Sequence, residues 1–333
     1  MSENKIAIVN SSSFGKIFKK HIESLEKVGS VKFFNFDQKI PGKKLADELH
    51  GYNMIISSVT PFFTKEFFEH KDELKIISRH GIGYNNIDLD AARKHDTIVS
   101  IIPALVERDA VSEQNITNLL AIMRRIGESS RNVLADKWEN RASFVGNTLF
   151  NKTVGLIGIG NTGSGMAQIL RNGFRCNVIS YDPNKSKMYM DQFGVEKVSF
   201  EELLKRSDAI CLAANLTDES YHMINQDAVD RMKDHVYISN SARGALVDED
   251  AIVAGLINGK IAGFATDVLE VEPGRKDHQY LQFENVIMTP HTGAYTMECL
   301  EAMGDKCVQD IELMADGKLP VRSIQNQSIY IKE

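Results

Sequence analysis

Three side chains with complementary chemistry, Arg243, Glu272 and His291, each follow a short apolar run of strand-forming residues. A guanidinium can bind a carboxylate and polarise a carbonyl group, and an imidazole can give or take a proton near neutral pH. A carboxylate beside that imidazole favours its protonated form. Taken singly, each residue also has an ordinary structural interpretation, as a surface arginine, a loop glutamate and a capping histidine. Their position at successive strand ends, where α/β proteins place their sites, favours a catalytic set that acts on a carbonyl group.

A glycine-rich segment supplies a nucleotide-binding motif in the same part of the chain. The apolar run at residues 154–157 leads into the pattern G-x-G-x-x-G, and a helical run follows. This order is required because the turn must be tight, must admit a pyrophosphate and must let the helix pack on the sheet. The N–H groups of the first helical turn would hold the phosphates. The residues expected to contact the cofactor are Gly158, Gly160, Asn161, Thr162 and Gly163.

Asp182 completes the motif, because it follows the next predicted strand about 20 residues beyond the glycines. A carboxylate there accepts hydrogen bonds from the ribose hydroxyls and repels a 2′-phosphate, which favours NAD over NADP. Two alternatives stay open: Asp182-Pro183-Asn184 is also a plain turn sequence, and Lys185 and Lys187 leave room for some NADP tolerance. With NAD as the hydride carrier, the catalytic set predicts reduction of the C2 carbonyl of a small 2-keto acid.

Composition excludes several other classes of protein. The 333 residues carry a net charge of −6 and are 43% hydrophobic, which argues against a general affinity for nucleic acid. No apolar stretch approaches the roughly 20 residues that cross a bilayer, and the first residues lack the apolar region of a secretory signal. The four cysteines are scattered, and no His or Cys spacing suits zinc. We therefore expect a cytoplasmic protein that binds no metal, membrane or nucleic acid.

Strand-like runs alternate with helical patterns in two stretches of the chain, as in parallel sheets covered by helices on both faces. Between them, the amphipathic pattern at residues 109–125 predicts a long connecting helix at a domain boundary, and a last helical pattern covers residues 295–316. The expected fold class is α/β, with two doubly wound parallel-sheet domains. The predicted strands are 6–9, 31–36, 54–59, 75–78, 98–102, 154–159, 177–181, 209–213, 236–239, 263–267 and 286–288; helical patterns in the first stretch are 16–27, 43–49 and 89–94.

Six segments together resemble the D-isomer-specific 2-hydroxyacid dehydrogenase family, over nearly the whole chain. The resemblance implies that Arg243 binds substrate and polarises its carbonyl, that His291 is the general acid and base, and that Glu272 is its carboxylate partner. It also implies that Asp267 lies near the nicotinamide. The matching segments are 81–88 (GIGYNNID), 110–113 (AVSE), 158–163 (GIGNTG), 240–248 (NSARGALVD), 267–273 (DVLEVEP) and 289–291 (TPH).

The same resemblance implies a domain arrangement. Residues 1–103 plus 297–333 would form a flavodoxin-like substrate domain, and residues 104–296 a Rossmann NAD-binding domain. The active site would lie in the cleft between them, and closure would exclude water during hydride transfer. The stretch from Trp138 to Phe150 falls where the family places its dimer contact, which implies a homodimer; a core aromatic is an equal interpretation of Trp138.

The residues expected to bind the substrate do not all indicate the same substrate. The resemblance implies that the backbone N–H groups at Gly81, Ile82 and Gly83 receive the substrate carboxylate, and that Tyr295 contacts the substrate as in the lactate branch. Lactate-specialised members carry a Tyr near Val106, which this chain lacks.

Two further positions bear on the cofactor and on a phosphorylated substrate. Ala213 and Asn215 stand where the family more often has His and Pro, so only a backbone contact to the cofactor is expected at Ala213. Arg79 stands at a position that binds phosphate in phosphoglycerate dehydrogenases, and plain packing of this arginine is the alternative that we favour.

The expected reaction is therefore reduction of pyruvate or a larger homologue to the D-2-hydroxy acid, with the D configuration resting on the resemblance alone. Alternative substrates are 3-phosphohydroxypyruvate, hydroxypyruvate and glyoxylate. A different class is also represented in the family by corepressors that sense NAD(H) and assemble with partners. The sequence has no long flanking extension of that kind.

Overall fold

The computed structural model describes residues 4–320, and within them the chain divides into two compact units. One comprises the residues up to Glu107 together with those from Thr296 onward, and the other is Arg108–Tyr295. Our predicted division places 104–107 and 296 with the NAD-binding domain. Residues 1–3 and 321–333 of the predicted substrate domain lie outside the described residues.

The first unit is built on a parallel five-stranded sheet. Its strand order is β2-β1-β3-β4-β5, and β1, β3, β4 and β5 are buried apart from the first residue of β1, whereas the edge strand β2 is largely exposed. This matches the composition, since strands covered on both faces read as nearly continuous apolar runs. The elements are β1 Lys5–Val9, α1 Lys20–Glu26, β2 Ser30–Phe34, α2 Gly42–Glu48, β3 Met54–Ser57, α3 Lys65–His70, β4 Ile76–Arg79, α4 Leu89–Lys94 and β5 Ile98–Ser100.

The second unit is built on a parallel seven-stranded sheet of order β12-β11-β10-β9-β6-β7-β8. Strand order reverses at β6, so the loops after β6 and β9 diverge at the carboxyl edge, where open α/β sheets bind ligands. The strands are β6 Thr153–Ile157, β7 Asn177–Tyr181, β8 Glu196–Lys197, β9 Ala209–Leu212, β10 Val236–Asn240, β11 Ile261–Thr266 and β12 Val286–Met288. The helices are α5 Ala104–Met123, whose first four residues belong to the first unit, α6 Ile126–Leu134, α7 Asn161–Gln168, α8 Lys187–Asp191, α9 Phe200–Arg206, α10 Gln226–Arg231 and α11 Glu249–Ile257.

Alternation along the strands buries this sheet on both faces. Leu156 of β6 packs with α5 and α7, and its neighbour Ile157 packs with the cluster formed around α9, α10 and α11. In β9, Cys211 and Leu212 divide between the same two clusters. The prediction of doubly wound parallel sheets is confirmed, because period-2 alternation in strands that are apolar throughout requires a core on each face.

The chain returns to the first unit in the helix α12, Met297–Ala315. Asp310 of α12 accepts hydrogen bonds from the hydroxyls of Ser78 and Ser100, at 2.8 and 2.6 Å, and pairs with Lys306. The last helix, predicted without a docking place, thus lies against the ends of β4 and β5. No helix within residues 4–320 is long and apolar enough to cross a membrane.

Candidate active site

His291 and Glu272 form a hydrogen-bonded pair. Nδ1 of His291 lies 2.8 Å from Oε2 of Glu272, and Oε1 of Glu272 accepts the Leu269 N–H at 3.1 Å. The two side chains are 38% and 31% exposed. Because Nδ1 is engaged by the carboxylate, Nε2 is the nitrogen left to exchange a proton with a substrate.

The environment of Glu272 keeps it ionised. Burial raises the pKa of its carboxyl, but the hydrogen bond and charge of His291, the Leu269 N–H and the charge of Arg243 outweigh burial, so the pKa lies below its usual value. The ionised carboxylate on Nδ1 fixes the orientation of the His291 ring and leaves Nε2 for proton exchange.

The turn that carries His291 is organised around Asp267. His291 has φ +54°, a left-handed conformation that few non-glycine residues adopt, and its N–H donates to the main-chain oxygen of Asp267 at 2.8 Å. The Asp267 carboxylate accepts the N–H groups of Thr292 and Gly293, at 2.9 and 2.7 Å, and the Thr289 hydroxyl at 2.6 Å. Asp267 is 2% exposed. Its carboxylate therefore holds this turn, and contact with the nicotinamide stays a prediction.

Arg243 follows β10 in a turn that packs on the segment leading to Glu272. The Asn240 amide donates to the Arg243 carbonyl at 2.9 Å and closes the turn. A Cβ added to Gly244 would stand 1.9 Å from the carbonyl carbon of Leu269, so no side chain fits there. The two loops are in direct contact, and the charge of Arg243 contributes to the lowered pKa of Glu272.

A third segment ties these two loops together. Glu270 accepts the hydroxyl of Tyr221 at 2.9 Å and pairs with Nε2 of His222 at 2.7 Å. The N–H of His222 donates to the carbonyl of Ala245 at 2.8 Å. The segment Tyr221–His222 thus contacts both the loop after β10 and the loop after β11.

The glycine motif has the form that a dinucleotide requires. Gly158 has φ +89°, and a Cβ there would stand 2.8 Å from the backbone of Ala213 and Ala214. A Cβ on Gly163 would lie 2.3 Å from the Gly158 carbonyl oxygen, whereas one on Gly160 would meet nothing within 4 Å. The turn is thus closed on its protein side and open at Gly160, where a pyrophosphate would approach. The predicted cofactor residue Ala213 lies beside the same turn.

The first turn of α7 and Asp182 complete the fit. α7 begins at Asn161, so the N–H groups of Asn161 and Thr162 have no acceptor within the helix. Asp182 accepts the Ile159 N–H on Oδ2 at 3.0 Å and the Asn184 N–H on Oδ1 at 2.9 Å. Each oxygen keeps a second lone pair for a ribose hydroxyl.

Both lysines near Asp182 have local partners. Lys187 pairs with Asp191 at 2.8 Å, and the Lys185 ammonium lies 4.8 Å from the centre of the Tyr189 ring. The basic charge that would favour NADP is therefore engaged locally.

The predicted substrate loop belongs to the first unit. Gly81 has φ +151°, and a Cβ there would stand 2.6 Å from an Arg79 guanidinium nitrogen. The N–H of Ile82 donates to Oε1 of Glu107 at 3.1 Å. A donor predicted to receive the substrate carboxylate is thus bonded to a carboxylate of the protein. Gly83, which follows, is partly exposed.

Arg79 lies beneath this loop. It is 4% exposed, and Nη1 donates to the carbonyl oxygen of His80 at 2.5 Å. The neighbouring His80 imidazole is also buried; burial, the charge of Arg79 and that of His21 lower its pKa to about 3. This geometry accords with a packing role for Arg79.

Sequence reasoning missed several residues around the site. Glu107 was not predicted to face Ile82, and no local signal could show it, because the two lie 25 residues apart. Glu270 lay inside a matched segment and its acidic type was a usable signal. Tyr295, predicted to contact substrate, is 45% exposed and its N–H donates to Thr292 at 2.8 Å.

Comparison with known proteins agrees with the geometry of the second unit. Residues 116–293 match the NAD-binding domain of the D-isomer-specific 2-hydroxyacid dehydrogenases. The chain belongs to this family. It is thus an oxidoreductase that acts on the CH–OH group of 2-hydroxy acids and binds a nicotinamide dinucleotide, as predicted.

Relatives span more than one substrate class. A glyoxylate reductase of Thermococcus litoralis is 32% identical over 305 residues, covering 90% of this chain and 91% of the relative. A D-3-phosphoglycerate dehydrogenase of Archaeoglobus fulgidus is 37% identical over 284 residues; the match covers 85% of this chain but 53% of that protein. The crystal structure of D-lactate dehydrogenase from Aquifex aeolicus, complexed with NAD and lactic acid, has a TM-score of 0.81 at 28% identity, over 94% of this chain and 96% of that one.

Proposed function

We propose that this dehydrogenase uses NADH to reduce a small, unphosphorylated 2-keto acid, pyruvate or a larger homologue, to the D-2-hydroxy acid. The observation that carries the proposal is the 2.8 Å pair between His291 and Glu272 beside the Arg243 turn. Bound NADH supplies the hydride that adds to C2. The Arg243 guanidinium binds the substrate carboxylate and polarises the C2 carbonyl. His291 delivers the proton from Nε2 to the carbonyl oxygen, which becomes the hydroxyl, and solvent reprotonates the imidazole.

The preference for NAD rests on Asp182. Its carboxylate stands at the end of β7 with one backbone N–H on each oxygen, while Lys187 pairs with Asp191 and Lys185 lies over the Tyr189 ring. Replacing Asp182 by Ala should raise KM for NADH and narrow the difference between NADH and NADPH. Equal use of the two cofactors by the unaltered enzyme would contradict this assignment.

The substrate is decided by a panel of keto acids. Initial rates of NADH oxidation are measured with pyruvate, 2-ketobutyrate, phenylpyruvate, glyoxylate, hydroxypyruvate and 3-phosphohydroxypyruvate, and the product is resolved on a chiral column. We expect the highest kcat/KM with an unphosphorylated acid and a D product. Glyoxylate and hydroxypyruvate are the second candidate, supported by the 32% identity to a glyoxylate reductase.

A phosphorylated substrate is less well supported. Arg79 is buried and donates to its neighbour's carbonyl oxygen, and the phosphoglycerate dehydrogenases matched are nearly twice the length that this chain covers. Arg79→Ala tests this directly: it should leave the ratio of kcat/KM for phosphorylated and unphosphorylated acids unchanged. A selective loss with 3-phosphohydroxypyruvate would assign Arg79 to the phosphate.

A corepressor-like sensor is the alternative of another class. Such a protein would bind NADH tightly and turn over no keto acid. The panel above and NADH fluorescence titration separate the two, because the enzyme hypothesis requires turnover as well as binding.

We further propose a cytoplasmic homodimer. The four cysteines are buried and unpaired, as suits a reducing compartment, and an apolar surface is exposed in and after α6. Light scattering should give twice the mass of one chain, and replacing an exposed apolar residue there by Asp should weaken association. That surface is Ile126, Val133, Leu134, Trp138 and Val145.

A further inference from the structure

Helix α5 places a buried amide opposite the turn that carries His291. Asn118 is 3% exposed, and its neighbours on the helix, Ile116, Leu119 and Ile122, belong to the apolar core. A buried amide is costly unless it is hydrogen-bonded, and an apolar residue would pack at such a position without that requirement. The Asn118 amide therefore needs hydrogen-bond partners in the protein.

The partners of Asn118 belong to a chain of hydrogen bonds in which every donor points in the same direction. Gln114 donates from Nε2 to Oδ1 of Asn118 at 3.2 Å, and Asn118 donates from Nδ2 to Oγ1 of Thr289 at 3.3 Å. The Thr289 hydroxyl donates to Oδ1 of Asp267 at 2.6 Å. Each member gives a hydrogen to the next, and the chain ends on the buried carboxylate of Asp267.

The directionality fixes the Thr289 hydroxyl. A hydroxyl has one hydrogen and can rotate, so it can donate to Asp267 or elsewhere. A carboxylate oxygen can only accept, so the hydroxyl hydrogen lies towards Asp267, and the Asn118 N–H takes a lone pair of the same hydroxyl oxygen. Asn118 thus anchors the hydroxyl to α5 and stabilises this orientation, and the hydroxyl holds one oxygen of Asp267 in place.

Asp267 links this hydrogen-bond chain to the turn that carries His291. The same Oδ1 accepts the Thr292 N–H, Oδ2 accepts the Gly293 N–H, and the main-chain oxygen accepts the N–H of His291 itself. The left-handed backbone at His291 has to be held by its surroundings, because such conformations cost energy. A shift of Asp267 would move the imidazole.

We propose that Asn118 and Thr289 are positioning residues, whose hydrogen-bond chain from α5 through Asp267 sets the place of the His291 imidazole. The inference rests on the proposed role of His291 as the proton donor. Neither residue is required to touch substrate or cofactor.

The experiment compares variants of matched shape in the full-length protein. Thr289→Val removes the hydroxyl at nearly constant volume, and Thr289→Ser keeps it. Asn118→Leu removes the amide donor, also at similar volume. Thr117→Ala changes an exposed residue of α5 beside Asn118 and serves as the control.

We expect Thr289→Val to lower kcat about 10- to 100-fold and Asn118→Leu about three- to tenfold, with KM for the keto acid changed much less, since a displaced acid acts on the chemical step. Thr289→Ser, which keeps the hydroxyl, should have a kcat within about threefold of that of the unaltered enzyme. In a double-mutant cycle, Asn118→Leu should have little further effect once Thr289 is Val, because both act through one hydroxyl.

A second readout needs neither cofactor nor turnover. Hydrogen exchange of the peptide covering residues 289–295, followed by mass spectrometry on the nucleotide-free protein, reports the bonds of Thr292 and Gly293 to Asp267. Exchange there should be faster in Thr289→Val and Asn118→Leu and unchanged in Thr117→Ala and Thr289→Ser. NADH affinity, measured by fluorescence, should be unaltered in Thr117→Ala and Thr289→Ser.

Three outcomes would overturn the proposal. The first is a lower melting temperature with unchanged kcat and unchanged exchange at 289–295, which is what simple packing predicts. The second is additive effects in the double-mutant cycle. The third is a Thr289→Ser variant whose kcat and hydrogen exchange at 289–295 are as impaired as those of Thr289→Val. If the unaltered enzyme reduces no keto acid, the proposed function fails, and hydrogen exchange still decides whether the chain orders the turn. If Thr289→Val does not fold, Asn118→Leu and Thr289→Ser decide it.

Discussion

Two turns of this dehydrogenase each direct a backbone N–H at a carboxylate of the protein itself, and they differ in how firmly that carboxylate is held. The turn after β12 donates two N–H groups and a hydroxyl to Asp267, which follows β11 and is almost fully buried. After β4, the Ile82 N–H meets Glu107, a partly exposed residue in the first turn of α5. A buried, multiply bonded carboxylate is a permanent part of its turn, whereas we propose that the partly exposed Glu107 gives way to the carboxylate of a substrate.

The largest effect is expected at His291, the proposed proton donor, which the turn after β12 carries. His291→Gln should lower kcat by about 10²- to 10⁴-fold, because general acid catalysis contributes that much, while NADH still binds. Stopped-flow measurement of NADH oxidation with the best acid of the panel checks it. His70→Gln, at an exposed histidine, should have no effect. Retention of most of the activity in His291→Gln would remove the histidine from the proton transfer.

Asp267→Asn should come next, with a fall in kcat of about 100-fold. One oxygen of the carboxylate becomes an NH2 group that faces a backbone N–H, so the turn loses an acceptor and His291 moves. The melting temperature should fall as well. Unchanged kcat and exchange rates would mean that the turn holds its shape without the charge.

Glu107→Gln should act in the opposite direction. The neutral amide is a weaker acceptor for the Ile82 N–H, so a substrate carboxylate displaces it more easily, and KM for the keto acid should fall about three- to tenfold with kcat nearly constant. Substrate saturation curves for the two proteins measure this. A rise in KM would show instead that Glu107 holds the loop in its binding form.

The smallest effect concerns stability in acid, and it too distinguishes the two regions. The folded-state pKa of His80, about 3, lies below the unfolded value of about 6.5, so the unfolded chain binds more protons and stability is lost as the pH falls from about 6.5 towards 3. Glu272 has a lowered pKa, so its contribution is complete above the unfolded value of about 4.3 and is lost only below it.

Melting temperatures measured between pH 7 and 4 test whether His80 makes the protein less stable as the pH falls. The decline between pH 6.5 and 5 should be shallower in His80→Leu and unchanged in His70→Gln, which alters an exposed histidine of the same unit. The same slope in His80→Leu and in the unaltered protein would assign the acid sensitivity to other groups.

The sequence was most informative where neighbouring residues determine the outcome. The two parallel sheets and the NAD motif were predicted because strand composition and glycine spacing are local, and the fold class, the family and the cofactor are confirmed. Strand ends were less accurate: β3 ends at Ser57 and not at Val59, and β11 begins at Ile261 and not at Gly263. The short helix Lys65–His70 was missed because its Phe-rich sequence has no clear helical period.

Contacts between distant parts of the chain could not be predicted. Glu107 and Ile82 are 25 residues apart, Tyr221 and Glu270 are 49 apart, and Asn118 and Thr289 are 171 apart. Each depends on where two loops or a helix and a loop come to lie after the sheet is built. The roles of Arg243, Glu272 and His291 remain predictions that the experiments above test.

The close contact at Gly244 bears on how this enzyme can change during evolution. With no room for even a methyl group against Leu269, nearly every substitution at Gly244 is expected to be eliminated, and the two loops must vary together or not at all. Val271, between Glu270 and Glu272, is 76% exposed and carries no such restriction. The tip of this loop is thus free to vary in sequence, whereas its base, which packs on Gly244, is not.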